Sequence, residues 1–127
     1  MLDLNSIMLG SSQVEKMATF YEALFERKAD MVDGGWHGWQ VGKGFLTIGD
    51  HSEIQGNAKE PQRIILNFET SLVQEEFDRI REIEGATIIK EPYDMAGGLV
   101  ATFADPDGNY LQLMTPWEID EPSTVVN

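Results

Sequence analysis

The sequence predicts an α+β fold in which two tandem βαβββ modules form one cupped mixed sheet, with the helices on its outer face. The order strand, helix and three strands occurs twice, and the two copies match in register. One copy of about 55 residues would bury only a thin core, so the two modules are expected to pack side by side. Module one covers about residues 1–55, module two about residues 60–116, and a tail at residues 117–127 completes the domain.

The first module begins with a short apolar strand and an amphipathic helix. Residues 4–9 suit a buried strand, although periodicity alone does not exclude a helix in so short a run. Ser11 and Ser12 both offer an N-cap for the helix, which ends near Arg27 and Lys28. With Ser12 as the cap, Glu15 lies three residues later and can close a capping box. The apolar face of this helix is formed by Val14, Met17, Ala18, Tyr21, Leu24 and Phe25.

Three short segments follow the helix and are divided by glycines. Residues 29–33, 36–42 and 44–50 predict a small antiparallel meander. Residues 51–61 are polar and predict a linker between the modules.

The second module repeats this order. Residues 63–68 predict a buried strand, and residues 72–83 predict a helix that Gly85 ends. Three more strands are predicted at residues 86–93, 97–105 and 109–115.

The repeat is also visible in the alignment of individual residues. One constant offset between the modules places Ser6 on Ile65 and Val14 on Val73. A slightly larger offset aligns the segment FLTI, which begins at Phe45, with the segment YLQL, which begins at Tyr110. Agreement in register across a strand and a helix favours two copies of one module over a chance succession of elements.

The charge of the chain limits the classes of partner. Its 22 acidic and 9 basic residues give a formal net charge of −13, which should repel a nucleic-acid backbone. Solubility explains such acidity, and so does an acidic cleft that attracts a cationic small molecule.

Other composition features point to a cytoplasmic protein. The sequence has no apolar run of ~18 residues and no basic lead before an apolar stretch, so neither a membrane span nor a signal peptide is expected. Cysteine is absent, which excludes disulfides, thiol nucleophiles and thiolate metal sites.

A stiff turn separates the last two predicted strands. In the sequence Asp105-Pro106-Asp107-Gly108, the proline fixes φ, the first aspartate can bond the backbone ahead of it, and the glycine supplies a positive φ. A calcium site at Asp105 and Asp107 is the alternative, but the terminal glutamate of an EF-hand loop is missing. The turn is therefore interpreted as a device that sets strand register.

The segments FADPDGNYLQLM and SSQVEKMATFYEALF, together with the doubled βαβββ order, resemble the vicinal oxygen chelate superfamily. This superfamily contains glyoxalase I, extradiol dioxygenases, fosfomycin-resistance transferases and bleomycin-resistance proteins. The resemblance covers residues 1 to about 116. It implies two edge-joined modules, a homodimer, and a ligand cleft inside each cupped sheet.

The resemblance also implies four positions for a divalent metal in the members that use one. They correspond to Ser6, Thr47, Ile65 and Gln112, of which only Gln112 is a plausible ligand. A catalytic metal needs three or more donors, so we expect a protein without metal or other cofactor. A relocated site at His51, with oxygen donors from Asp50 and Glu53, is the alternative.

Strand alternation then predicts the ligand-binding surface. Trp36 and Trp39 lie in or beside a glycine-rich stretch at residues 34–38. They either cover the cleft or the dimer seam, or they pack in the core. The predicted ligand-binding residues are Met8, Trp36, Trp39, Phe45, Thr47, Asn67, Tyr110, Gln112 and Met114. Rings, thioethers and amides of this kind suit a flat or partly apolar organic molecule.

The sequence therefore favours a metal-independent protein, similar to bleomycin-resistance-type members, that sequesters a cationic or aromatic organic ligand and is not an enzyme. An enzyme is the rival hypothesis: a glyoxalase-like lyase or isomerase, or a dioxygenase relative, with a moved metal site or a carboxylate such as Glu69 or Glu91. A third possibility is an accessory protein that contacts a partner through Trp36 and Trp39. The tail is either a disordered end or a strap over a neighbouring subunit.

Overall fold

The computed structural model describes residues 1–116 and confirms the α+β fold with two tandem βαβββ modules. The elements of module one are β1 (Ser6–Ser11), α1 (Val14–Phe25), β2 (Met31–Asp33), β3 (Trp36–Val41) and β4 (Gly44–Asp50). Those of module two are β5 (Ile65–Glu69), α2 (Val73–Ile80), β6 (Thr87–Met95), β7 (Gly98–Ala104) and β8 (Tyr110–Met114). A short 3-10 helix, Pro61–Arg63, ends the linker. The predicted tail lies outside the described residues.

The pairing of the strands confirms the repeat in detail. Each module forms a four-stranded mixed sheet, with the orders β1-β4-β3-β2 and β5-β8-β7-β6. In the two parallel pairs, Ser6 faces Phe45 and Ile65 faces Tyr110, so the residues that the repeat aligns occupy equivalent places in the two sheets. Within residues 1–116 no strand pair joins the two sheets, so the predicted cup is made of two sheets and not of one continuous one.

The first helix begins later than the sequence predicted. Its N-cap is Gln13, and no side chain makes a cap hydrogen bond, so the capping box at Ser12 and Glu15 is wrong. Ser11 Oγ instead accepts the Gln13 N–H at 3.0 Å in the preceding turn, a local bond that competes with helix capping. The helix ends at Phe25, followed by Glu26 with φ of 58°.

The second helix is shorter than predicted, because it ends at Ile80 and tight turns continue to Gly85. Arg79 in its last turn donates two hydrogen bonds to the end of α1, at 3.0 Å to the Ala23 carbonyl and 2.9 Å to the Leu24 carbonyl. The Ala23 carbonyl also accepts the Glu26 N–H at 3.3 Å, so Arg79 adds a second donor there and a donor to the Leu24 carbonyl, and these bonds join the two modules.

One hydrophobic core lies between the helices and the two sheets. Phe77 of α2 stacks on Phe103 of β7 at a centroid distance of 5.1 Å, and Phe25 of α1 meets Phe68 of β5 at 5.6 Å. The second contact crosses from one module to the other, so the core is shared. Helix α1 packs on β4 and helix α2 on β6, β7 and β8, so each helix covers one face of its own sheet and leaves the opposite face, the predicted concave side, partly exposed. Neither helix among the described residues is long and apolar enough to span a membrane.

Candidate functional site

The Asp105–Gly108 turn is fixed by its own hydrogen bonds, which confirms its structural interpretation. The Gly108 N–H donates to the Asp105 carbonyl at 2.8 Å, and Gly108 has φ of 86°. Asp105 Oδ1 accepts the N–H groups of Asp107 and Asn109 at 2.9 and 3.0 Å. Its Oδ2 accepts the Asn109 side-chain amide at 3.0 Å. Both carboxylate oxygens of Asp105 are thus occupied by protein donors, which argues against the calcium alternative.

This turn also connects module two to helix α1. Tyr21 Oη donates to Asp105 Oδ2 at 2.7 Å, and Gln13 Nε2 donates to Asp107 Oδ1 at 2.7 Å. Burial raises the pKa of Asp105 more than hydrogen bonds from Asn109 and Tyr21 lower it. Burial also raises the pKa of Tyr21, and the neighbouring Asp105 carboxylate adds to the effect. The contact is a structural latch, because both Asp105 carboxylate oxygens and Asp107 Oδ1 accept hydrogen bonds there, whereas Asp107 Oδ2 is buried without a partner among the described residues.

The concave face of module two holds a cavity of about 870 Å³. Strand β8 presents alternate residues to this face, so Gln112 and Met114 line the cavity while Leu111 and Leu113 are buried in the core. The cavity is lined by Asn67, Met95, Ala96, Gly97, Gly98, Leu99, Val100, Gln112, Met114, Thr115 and Pro116. Three of the predicted ligand-binding residues, Asn67, Gln112 and Met114, are brought together here.

Asn67 and Gln112 form the polar centre of this cavity. They face each other as register partners on the neighbouring parallel strands β5 and β8. Gln112 Nε2 donates to Thr102 Oγ1 on β7 at 3.1 Å, and Thr102 is only 5% exposed. The buried threonine therefore holds one end of the Gln112 amide and fixes its direction.

Four other predicted residues lie on the concave face of module one. The Phe45 ring covers Gly38, where a Cβ would lie 2.5 Å from a ring carbon, and the Trp36 ring covers Gly49 at 2.1 Å. Because these rings lie flat on glycine backbone, they fill part of the first concave face themselves. Met8 and Thr47 pair across β1 and β4, at the register position equivalent to Asn67 and Gln112.

Trp39 requires a correction, because it packs in the core rather than facing the cleft. It is 1% exposed, its Nε1 donates to the Arg27 carbonyl at 3.0 Å, and its ring lies 5.7 Å from that of Phe25. Trp36 and Trp39 are three residues apart on β3, so alternation places them on opposite faces. Trp39 therefore matches the alternative prediction, in which the tryptophan packs in the core.

Tyr110 lies on the predicted face of β8 but at the other end of the strand. It lines a smaller cavity of about 380 Å³ beside the Asp105–Gly108 turn. Its ring therefore does not join Gln112 and Met114 in the larger cavity. Tyr110 and Met114 are the two end residues of the five-residue strand β8.

Sequence reasoning missed the hairpin that closes the larger cavity. Ala96 and Gly97 form the two-residue connection between β6 and β7, with φ of 51° at Ala96 and 84° at Gly97. Thr115 Oγ1 accepts the Leu99 N–H at 2.9 Å and ties the end of β8 to this hairpin. The Gly-Gly pair at residues 97–98 was the available signal, since such pairs favour tight hairpins.

Comparison with known proteins decides the family. The sequence profile of the Glyoxalase/Bleomycin resistance protein/Dioxygenase superfamily matches residues 3–113. The chain belongs to this superfamily. A search among curated proteins found no match.

Solved structures of the glyoxalase/bleomycin resistance superfamily share the fold at low identity. A glyoxalase-related enzyme from Fulvimarina pelagi superposes with a TM-score of 0.78 at 18% identity, covering 94% of this chain and 94% of that one. A glyoxalase/bleomycin resistance protein/dioxygenase family enzyme from Burkholderia phytofirmans PsJN gives 0.71 at 22% identity, covering 90% and 98%. A glyoxalase/bleomycin resistance protein from Albidiferax ferrireducens T118 gives 0.73 at 19% identity, covering 90% and 98%.

The residues of this superfamily member do not fit the metal site that the resemblance implies. Ser6 pairs with Phe45 rather than Thr47, and Ile65 carries no donor atom. The side chain opposite Gln112 is Asn67, so the local donor set is two neutral amides. A divalent ion of catalytic type prefers three or more nitrogen, carboxylate or thiolate donors.

The alternative metal site at His51 has no supporting cluster. His51 packs beside Gly10, and its Nδ1 accepts the Glu53 N–H at 3.2 Å. Among residues 1–116, no three His, Asp or Glu side chains lie close enough to hold a metal ion together. The described residues therefore give His51 no partners for such a role.

Proposed function

We propose that this superfamily member is a metal-independent small-molecule-binding protein that sequesters an organic ligand in the concave cavity of module two. The observation that carries the proposal is the lining of the 870 Å³ cavity, which combines two facing amides with thioethers, aliphatic side chains and glycine backbone. Pockets of this size that are mainly apolar, with a few convergent polar groups, are typical of small-molecule sites.

The cavity offers no group for proton transfer, which favours binding over catalysis. No titratable side chain lines it within residues 1–116. Glu69 follows Asn67 by two residues but lines a different cavity, against Phe25 and Arg79. Glu91 lies exposed on β6. General acid–base catalysis needs a titratable group within hydrogen-bond reach of the substrate, and neither carboxylate supplies one here.

The assembly and biological role belong to the same proposal. We expect a cytoplasmic homodimer without nucleic-acid or membrane partners, consistent with the net charge of −13. A ligand held in this way is withdrawn from solution one molecule per site. Protection against a toxic compound such as an antibiotic is a role that stoichiometric binding can perform.

Elemental analysis and metal titration test the metal-independence. Protein purified without chelator should contain no stoichiometric divalent ion, and calorimetry with Ni, Zn, Mn and Fe should show no tight binding. The matched variants are Gln112→Leu and, as control, Gln55→Leu at an exposed linker position. One tight ion per chain that is lost in Gln112→Leu and kept in Gln55→Leu would overturn the proposal and restore the enzyme hypothesis.

A further inference from the structure

We propose that the ligand of the module-two cavity is uncharged, with a flat apolar body and an amide-like group that meets Asn67 and Gln112. This inference rests on the proposed function and defines its ligand class. It departs from the cationic guest that the overall acidity of the chain suggested. The whole protein is acidic, whereas the lining of the site is uncharged.

The first step concerns charge. Among residues 1–116, every side chain that lines the cavity is neutral, although the protein carries a net charge of −13. Asn67 and Met95 are exposed to solvent, so an ion held against this lining gives up part of its hydration, and it meets no opposite charge in return, which disfavours binding. The acidic residues elsewhere act through solvent, where their field is screened over about 10 Å at ordinary salt. Their field thus attracts cations to the surface without stabilising them inside the cavity.

The second step concerns the amide pair. Gln112 Nε2 is engaged by Thr102 Oγ1, so its Oε1 is left to accept a hydrogen bond from the ligand. Asn67 makes no side-chain hydrogen bond to another described residue, so its amide offers both a donor and an acceptor. The two side chains lie on neighbouring strands about 5 Å apart. A primary amide, lactam or imide presents a donor and an acceptor side by side and matches this pair.

The third step concerns the body of the ligand. Met95 and Met114 both line the cavity, and thioethers make favourable contacts with aromatic rings. The backbone of Gly97 is open on the same cavity, since no atom lies within 4 Å of the position a Cβ would take, and this allows a planar group to approach closely. A flat ring carrying an amide uses both kinds of surface.

The experiment uses three naphthalene compounds that differ mainly in charge: naphthamide, naphthoate and naphthylmethylammonium. Each is titrated into the full-length protein while nuclear magnetic resonance follows the side-chain amide signals of Asn67 and Gln112. Naphthamide should shift both signals and bind at least about tenfold more tightly than either ion, since only the ions lose hydration without compensation. Its affinity should change little with salt.

Variants separate the amide contact from general apolar binding. In Asn67→Leu with Gln112→Leu, naphthamide should lose its advantage over unsubstituted naphthalene, whereas Gln55→Leu should keep it. If naphthylmethylammonium shifts the two amide signals and binds more tightly than naphthamide, the inference of a neutral ligand fails and the binding function stands. If none of the three compounds shifts either signal, the inference of a flat amide-bearing ligand fails, while the binding proposal is still decided by the metal titration of the Gln112→Leu and Gln55→Leu variants.

Discussion

The Tyr21 hydroxyl donates a 2.7 Å hydrogen bond to Asp105 Oδ2, joining residues 84 positions apart in the sequence. Tyr21 lies in the helix of module one and Asp105 in the last turn of module two. Both are almost fully buried, with 0% and 2% of their surface exposed. Since no strand pair joins the two sheets within residues 1–116, this bond is a principal polar tie between the modules.

Tyr21→Phe should lower the free energy of unfolding by about 1–3 kcal/mol, because a buried carboxylate then loses a donor. Asp105 Oδ2 would retain only the bond from Asn109 Nδ2 at 3.0 Å. Urea denaturation measures the change. Tyr93→Phe is the control, because its hydroxyl lies exposed near Met95 Sδ at 3.8 Å and should contribute less than about 0.5 kcal/mol. Equal effects of the two variants would show that the latch contributes nothing specific.

Stability should depend on the titration of Asp105 in a direction set by its burial. Burial raises its pKa above the value of the unfolded chain, so its contribution is complete below the unfolded pKa of about 3.9 and is lost as pH rises through the folded pKa. The stability of the wild type relative to Asp105→Asn should therefore fall as pH rises across that window. Denaturation of both proteins at a series of pH values checks this. A relative stability that rises with pH would contradict the assignment.

The two tryptophans of β3 should respond differently to replacement by phenylalanine. Trp39→Phe removes a partly buried hydrogen bond to the Arg27 carbonyl and leaves a void in the core, so it should cost about 1–3 kcal/mol. Trp36→Phe, on the half-buried concave face, should cost less than about 1 kcal/mol. Thermal unfolding measures both. Similar losses would indicate that the two rings share one environment.

Gly98→Ala should disturb the hairpin that closes the candidate cavity. A Cβ at Gly98 would lie 2.8 Å from the Thr115 Cβ, and Thr115 is held in place by the Leu99 N–H. The overlap should cost about 1–3 kcal/mol and weaken naphthamide binding. Gly35→Ala is the control, since no atom lies within 4 Å of its added Cβ. Equal stability and affinity in the two variants would mean that Thr115 moves freely.

Local sequence patterns were sufficient to predict the fold, but they did not predict where each helix begins and ends. The alignment of the two modules, visible in the sequence, reappears in the pairs Ser6 with Phe45 and Ile65 with Tyr110. Strand alternation also predicted that Gln112 and Met114 share a face. The capping box at Ser12 failed because the Ser11 side chain bonds the Gln13 N–H, while the Gln13 side chain reaches the distant Asp107.

The sequence by itself determined the repeat, the order of strands and helices and the two faces of each sheet, because these depend on spacing along the chain. Only the tertiary structure decided which predicted residues meet. Asn67 and Gln112 lie together on β5 and β8 in an uncharged cavity, whereas Trp39 packs in the core and Tyr110 lines another cavity. The physical reason is that alternation assigns a side chain to a face, while its neighbours on that face depend on strand order, twist and packing between elements distant in sequence.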